Sequence, residues 1–112
     1  MAEAWGILGQ VMASPINTDV TVYQVPSGKK ASIRVLACNQ AAAGTGDTTI
    51  RMRMRHSGAV DNPNQIFVFD EPLAGQDSYE SALLMLATGE NIRAQAGTLN
   101  VSFQAVGVEA DV

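Results

Sequence analysis

The sequence predicts an all-β chain: an antiparallel β-sandwich of about seven to eight strands, jelly-roll or immunoglobulin-like, with an N-terminal arm. Three observations carry this. Several segments alternate apolar and polar residues with a period of two. Turn residues punctuate the chain every eight to fourteen residues, the spacing of a two-sheet sandwich. No β-α-β alternation is present, which argues against a parallel sheet.

Residues 1–18 show no clear element and are expected to form an arm, with the sandwich domain spanning 19–112. In the arm, Trp5, Ile7 and Leu8 are apolar but interrupted by Gly6 and Gly9, and Pro15 and Asn17 mark a turn. Such an arm either folds onto its own core or docks on a neighbouring subunit. Residues 20–25 are rich in β-branched and aromatic side chains and read as a strand. Pro26-Ser27-Gly28-Lys29 reads as a type I turn closing a hairpin. In residues 31–38, Ala31, Ile33, Val35 and Ala37 share one face, with Ser32 and Arg34 on the other.

Residues 39–47 form a loop of small residues. In 48–55, Ile50, Met52 and Met54 point inward and Arg51, Arg53 and Arg55 outward, a half-buried strand. A polar loop follows, with Ser57-Gly58 and Asp61-Asn62-Pro63 as turn signals. Residues 66–69 are apolar on both faces, as in a central strand, and Asp70-Glu71-Pro72 ends them. Residues 78–86 contain good helix formers, yet their short length between Gly75 and Gly89 favours a strand. Residues 91–96 alternate, as do 99–105, and the chain closes on an acidic tail, Val108-Glu109-Ala110-Asp111-Val112.

Composition narrows the function. At 46% hydrophobic and 16% charged, the chain has the material for a core and is unlike a disordered segment. A net charge of −4 argues against a nucleic-acid binder, since phosphate contacts need surplus Lys and Arg. The longest apolar run, 82–87, is far short of a membrane span, and the N-terminus lacks a signal-peptide pattern. A soluble protein made in the cytoplasm is expected.

An enzyme is not expected, and neither is a cofactor. His56 is the single histidine and adjoins Ser57, but sequence neighbours seldom make the hydrogen-bonded pair that activates a hydroxyl. Cys38, the single cysteine, excludes an intrachain disulfide and reads as a small buried strand residue. One His and one Cys make zinc improbable, and Asp61-Asn62-Pro63-Asn64 lacks calcium-loop spacing. Asp70 and Glu71 should point to opposite faces, which suits acid–base work poorly. The Arg51, Arg53, Arg55 row has three readings: a nucleic-acid stripe, a face paired with carboxylates across the sheet, or a subunit interface. The nucleic-acid reading lacks interleaved aromatics. For the interface, the tail residues Glu109 and Asp111 are one candidate partner.

Several segments carry a resemblance. Trp5-Gly6-Ile7-Leu8-Gly9-Gln10, the Tyr23-x-Val25-Pro26-x-Gly28-Lys29 pattern, and Val35-Leu36-Ala37-Cys38-Asn39 are joined by Phe69-Asp70-Glu71-Pro72-Leu73. Asn100-Val101-Ser102-Phe103 and Gly107-Val108-Glu109 complete the set. Together they resemble a small β-sandwich structural protein of tailed bacteriophage virions. The resemblance covers most of the chain, and its motifs are turns and strand ends. The chain departs from it in the basic Arg51-Met52-Arg53-Met54-Arg55 strand.

The resemblance implies assembly in a virion, often as a homotrimer, and no catalytic residue. The leading expectation is a capsid decoration, or cement, protein bound to the major capsid protein. A tail, baseplate or fibre module and a receptor- or glycan-binding sandwich are the alternatives. Trp5, Ile7 and Leu8 are the expected arm contacts, because apolar arm residues have no obvious place in a seven-strand core.

Overall fold

The computed structural model describes residues 3–112. Met1 and Ala2, part of the expected arm, lie outside the described residues. The described residues form nine strands: β1 (Glu3–Met12), β2 (Val20–Gln24), β3 (Lys29–Asn39), β4 (Thr48–Arg55), β5 (Ile66–Leu73), β6 (Ser78–Glu80), β7 (Leu84–Leu86), β8 (Asn91–Ala96) and β9 (Val101–Asp111). They form two antiparallel sheets. The first has the order β1-β9-β3-β6, with β7 also pairing with β3; the second has the order β2-β8-β4-β5.

Short strands β6 and β7 lie end to end along β3, so they act as one broken strand. Counted that way, the chain has eight strands, and most connections cross from one sheet to the other. The resulting order is first–eighth–third–sixth over second–seventh–fourth–fifth, the jelly-roll arrangement of two Greek keys. An immunoglobulin-like order groups its strands differently. Loops therefore alternate between two ends of the sandwich. Residues 13–19, 40–47, 74–77 and 97–100 gather at one end; 25–28, 56–65 and 87–90 gather at the other.

The core follows from the period-two pattern. Ile33, Val35 and Ala37 of β3, Val101, Phe103 and Ala105 of β9, Ile50 and Met52 of β4, and Ile92, Ala94 and Ala96 of β8 are all buried. Alanines at several of these positions let the sheets pack closely, and Phe103 is the largest fully buried side chain. Tyr23 of β2 spans the layers, its phenol donating to Glu109 Oε2 of β9 at 2.5 Å. Asn39 is fully buried. Its amide donates to the carbonyls of Gly46 and Leu73 at 2.8 and 3.0 Å, and its Oδ1 accepts from the Ala41 N–H at 3.1 Å.

Several expectations are corrected. Residues 1–18 are not without an element: Glu3–Met12 is a ten-residue strand paired with β9 throughout. A bulge at Leu8 breaks its alternation, and most of its side chains are exposed, so no period showed in the sequence. The turn after β2 does not close a hairpin. It joins the two sheets, with Lys29 N–H donating to Pro26 C=O and Gly28 at the third position with φ 76°.

The 66–69 segment is not central. It begins β5, an edge strand that runs on through Asp70, Glu71 and Pro72 to Leu73. Residues 78–86 split where Ser81 leaves the ladder. Its hydroxyl accepts from Val35 N–H at 2.9 Å and donates to the Ala82 carbonyl at 2.8 Å, standing in for a backbone partner. Cys38 is exposed, because the alternation that buries Ala37 and Asn39 turns it outward. The acidic tail is the second half of β9 rather than a free segment.

Candidate interaction surface

The two groups of residues singled out in the sequence lie on opposite outer faces of the sandwich. The arginines stand on the second sheet, each facing a carboxylate. Between Val68 and Glu71, two residues of β5 oppose one of β4, so Phe69 and Asp70 both meet Arg51. The Arg51 guanidinium donates to Asp70 through Nε at 2.5 Å and Nη2 at 3.2 Å. It also lies 4.4 Å from the centre of the exposed Phe69 ring. This contact holds the Asp70 carboxyl below its ordinary pKa and raises that of Arg51.

Arg53 sits 2.8 Å from Asp19, both side chains largely covered. Arg55 reaches Asp61 at 2.8 Å and the Asn91 side chain at 3.0 Å, while Arg93 of β8 lies 3.5 Å from the same Asp61. Asp19, Asp61 and Asp70 thus balance the row, and they come from loops and a bulged edge. Within the chain the acidic tail does not meet the row. Glu109 belongs to the first sheet and takes the Tyr23 phenol, and Asp111 pairs with Lys29.

Trp5 and Ile7 lie on the outer face of the first sheet and are 74% and 59% exposed. Leu8 does not join them. Its bulge turns it toward the core, against which it is partly buried, so it has the place in the core that the sequence did not reveal. Register identifies their neighbours: Trp5 is opposite Val108, Val108 opposite Ser32, and Ser32 opposite Met85. Residues opposite one another share a face, so these four form one cross-strand row. With strands about 4.8 Å apart, the row is about 14 Å long.

A second row runs Ile7, Val106, Arg34, and there Arg34 is engaged by Glu80 at 3.1 Å. Met85, 77% exposed, stands as a ridge between two recesses. One, of about 490 Å³, is lined by Lys30, Ser32, Met85, Glu90, Val108 and Ala110. The other, of about 740 Å³, lies beyond it among Met54, His56, Val60, Gln65, Met85 and Glu90. There the exposed His56 places Nδ1 2.8 Å from Glu90 Oε2. Exposed apolar side chains thus stand at both ends of the first row, with half-buried Val108 and Ser32 between them, and Val60 of the 56–65 loop adds another beyond Met85.

Sequence reasoning missed Met85 and Val108. Leu84-Met85-Leu86 is too short and too uniformly apolar to reveal which residue faces out. Val108 lay in what read as a tail. The signal that finds them is pairing, which only the assembled sheet supplies.

The molecule is thus an antiparallel jelly roll with exposed apolar side chains on the outer face of one sheet and a row of ion-paired arginines on the other. Compared with protein-family models, curated proteins and solved structures, the chain matches none.

Proposed function

We propose that the protein is an adhesive structural subunit of a bacteriophage virion, a capsid decoration protein that binds the major capsid protein lattice. The observation that carries this reading is the cross-strand row Trp5–Val108–Ser32–Met85, with exposed apolar side chains at both ends and half-buried Val108 and Ser32 between them. Large apolar side chains exposed together on one face are a feature of docking surfaces. Aromatic and methionine side chains are the residue types enriched where proteins meet. The jelly roll supports the reading by analogy of fold alone, since capsid and lectin domains share it. The resemblance of the turn and strand-end motifs points the same way. Binding here would be adhesive, with no bond made or broken.

The test is co-sedimentation of the purified protein with capsids of the phage that encodes it. Trp5→Ser and Met85→Ser should each weaken binding about tenfold or more while leaving the fold intact, a loss of about 1.4 kcal/mol or more. Unchanged binding in the double variant would remove this face from the proposal. Gold-labelled antibody on intact virions separates the capsid from the tail, and label on the tail alone would favour a tail or baseplate role.

A second reading rests on a different observation. Asn17, Thr49, Arg51, Asp70 and Gln95 line a polar recess of about 440 Å³ on the second sheet, beside the exposed Phe69. Amides, a carboxylate and a guanidinium next to an aromatic face suit a saccharide. Glycan-array binding that is lost in Asp70→Ala would support this receptor-binding role, and an array without hits would sink it.

A further inference from the structure

The polar recess on the second sheet, about 440 Å³, is built by four parts of the chain at once. Arg51 of β4 and Gln95 of β8 stand opposite each other in register, and Thr49, two residues before Arg51, shares its face. The bulge in β5 brings Asp70 to them, with φ 52°. Asn17 closes one end from the loop before β2. Its N–H donates to the Ala96 carbonyl at 2.8 Å, and its Oδ1 lies 3.7 Å from where a Cβ on Gly97 would stand. Asn17 also has a left-handed backbone, φ 54°. Non-glycine residues held in that conformation concentrate at ligand sites.

The recess has hydrogen-bonding capacity to spare. Among the described residues, the side chains of Asn17, Thr49 and Gln95 have no hydrogen-bond partner within the chain. Each of these amides and hydroxyls both donates and accepts, as a sugar hydroxyl does. Its charges, by contrast, are matched. Arg51 donates to Asp70 through Nε and Nη2, which leaves Nη1 as a donor and further lone pairs on the carboxylate as acceptors. Phe69, 4.4 Å from the guanidinium carbon, holds the pair in place. The arginines that outnumber their carboxylates lie toward the other end of the sheet, where Arg55 and Arg93 share Asp61.

Resting on the saccharide reading of this recess, we propose that it takes an uncharged sugar and that the Arg51–Asp70 pair holds neighbouring hydroxyls without a calcium ion. An acidic sugar would compete with Asp70 for Arg51, and an amino sugar would compete with Arg51 for Asp70. Either exchange leaves one charge of the pair unmatched, whereas a neutral sugar uses the lone pairs and N–H groups that the pair leaves over. A calcium ion takes six to eight oxygen ligands, carboxylates chief among them. The carboxylate of this recess is already held by a guanidinium, which supplies the positive charge that the ion would bring. The recess faces away from Trp5 and Met85, so sugar binding and capsid binding can each fail without the other.

A single sugar of about a dozen heavy atoms binds near the millimolar range, which saturation-transfer NMR detects. The full chain would be tested with the methyl glycosides of glucose, galactose, mannose, rhamnose and N-acetylglucosamine, with those of glucuronic and N-acetylneuraminic acid, and with that of glucosamine. At least one neutral glycoside should receive saturation, the charged ones should not, and excess EDTA should change nothing. Asn17→Gly, which suits the left-handed backbone, and Gln95→Ala should each weaken binding about tenfold with an unchanged circular dichroism spectrum. Transfer to a charged glycoside as strong as to the neutral ones, or transfer abolished by EDTA, overturns the inference and leaves the saccharide reading standing. Transfer to none of the sugars, or transfer that survives both substitutions undiminished, overturns the two together.

Discussion

Asn39 shows how one buried polar side chain can organise an end of the molecule. It sits where β3 ends, and its three hydrogen bonds tie the 40–47 loop and the end of β5 together. The amide is needed because two of those partners are carbonyls and one is an N–H, a set that only a group with both donor and acceptor can serve. Asn39→Asp would turn oxygen against oxygen in a buried site. It should cost about 3 kcal/mol or more, read as a lowered urea midpoint with an unchanged m-value.

Tyr23 gives a second test at this scale. Burial, and then Glu109, push its phenol well above the ordinary tyrosine range. The unfolded chain loses that proton near pH 10 while the fold keeps it. The unfolded state then binds fewer protons, so stability present below about pH 10 falls as pH rises beyond it. Tyr23→Phe should cost about 1 kcal/mol at pH 7. Its deficit against wild type should narrow in denaturant titrations at pH 11.

At the scale of the element, legibility followed exposure. β3, β4 and β8 bury one face and wet the other, so Ile33, Val35, Ile50, Met52 and Ile92 announced themselves by period alone. β1 and β5 are edges with bulges, and a bulge moves every later side chain to the opposite face. In β5 that slip lets Phe67 pack against the core while Phe69 covers Arg51, so a segment apolar on both faces has the sequence pattern of a central strand and the position of an edge. Strand β1 also depends on the crossing at Gly9. Gly9→Ala would drive a methyl into the Val22 carbonyl and should cost about 2 kcal/mol, seen as a lower thermal midpoint. Ile7→Ser, exposed on the same strand, should stay within about 0.5 kcal/mol of wild type and serves as the control.

For the whole molecule, the sandwich was legible and the jelly-roll order was not. Alternation says that a strand has a wet face and a dry one, but it does not say which strand lies beside it. The same limit applies to the surface. Trp5 and Ile7 could be named from the sequence as unplaced apolar residues, yet Val108 and Met85 join them through pairings between segments distant in the chain. The arginine row was visible, whereas Asp19 and Asp61 were not, because loops deliver them from elsewhere. One consequence is that the two outer faces differ in kind. The face with its charges already matched has little left to offer a charged partner, whereas the apolar face still has water to shed.

Strand β9 lies between β1 and β3, so β1 has no partner until residues 101–111 have left the ribosome. The first sheet therefore cannot assemble in the order of synthesis. Its centre arrives after the sheet's other strands, and β1 must wait while residues 13–100 are made, with Trp5, Ile7 and Leu8 exposed. Pairings so distant in sequence put closure of the fold on the millisecond-to-second scale typical of sandwiches. During that delay the half-made molecule has an open apolar strand and a vacancy beside it. A neighbouring nascent chain on the same message could fill that vacancy with its own β9, an exchange of strands that crowded synthesis would favour and dilution would suppress.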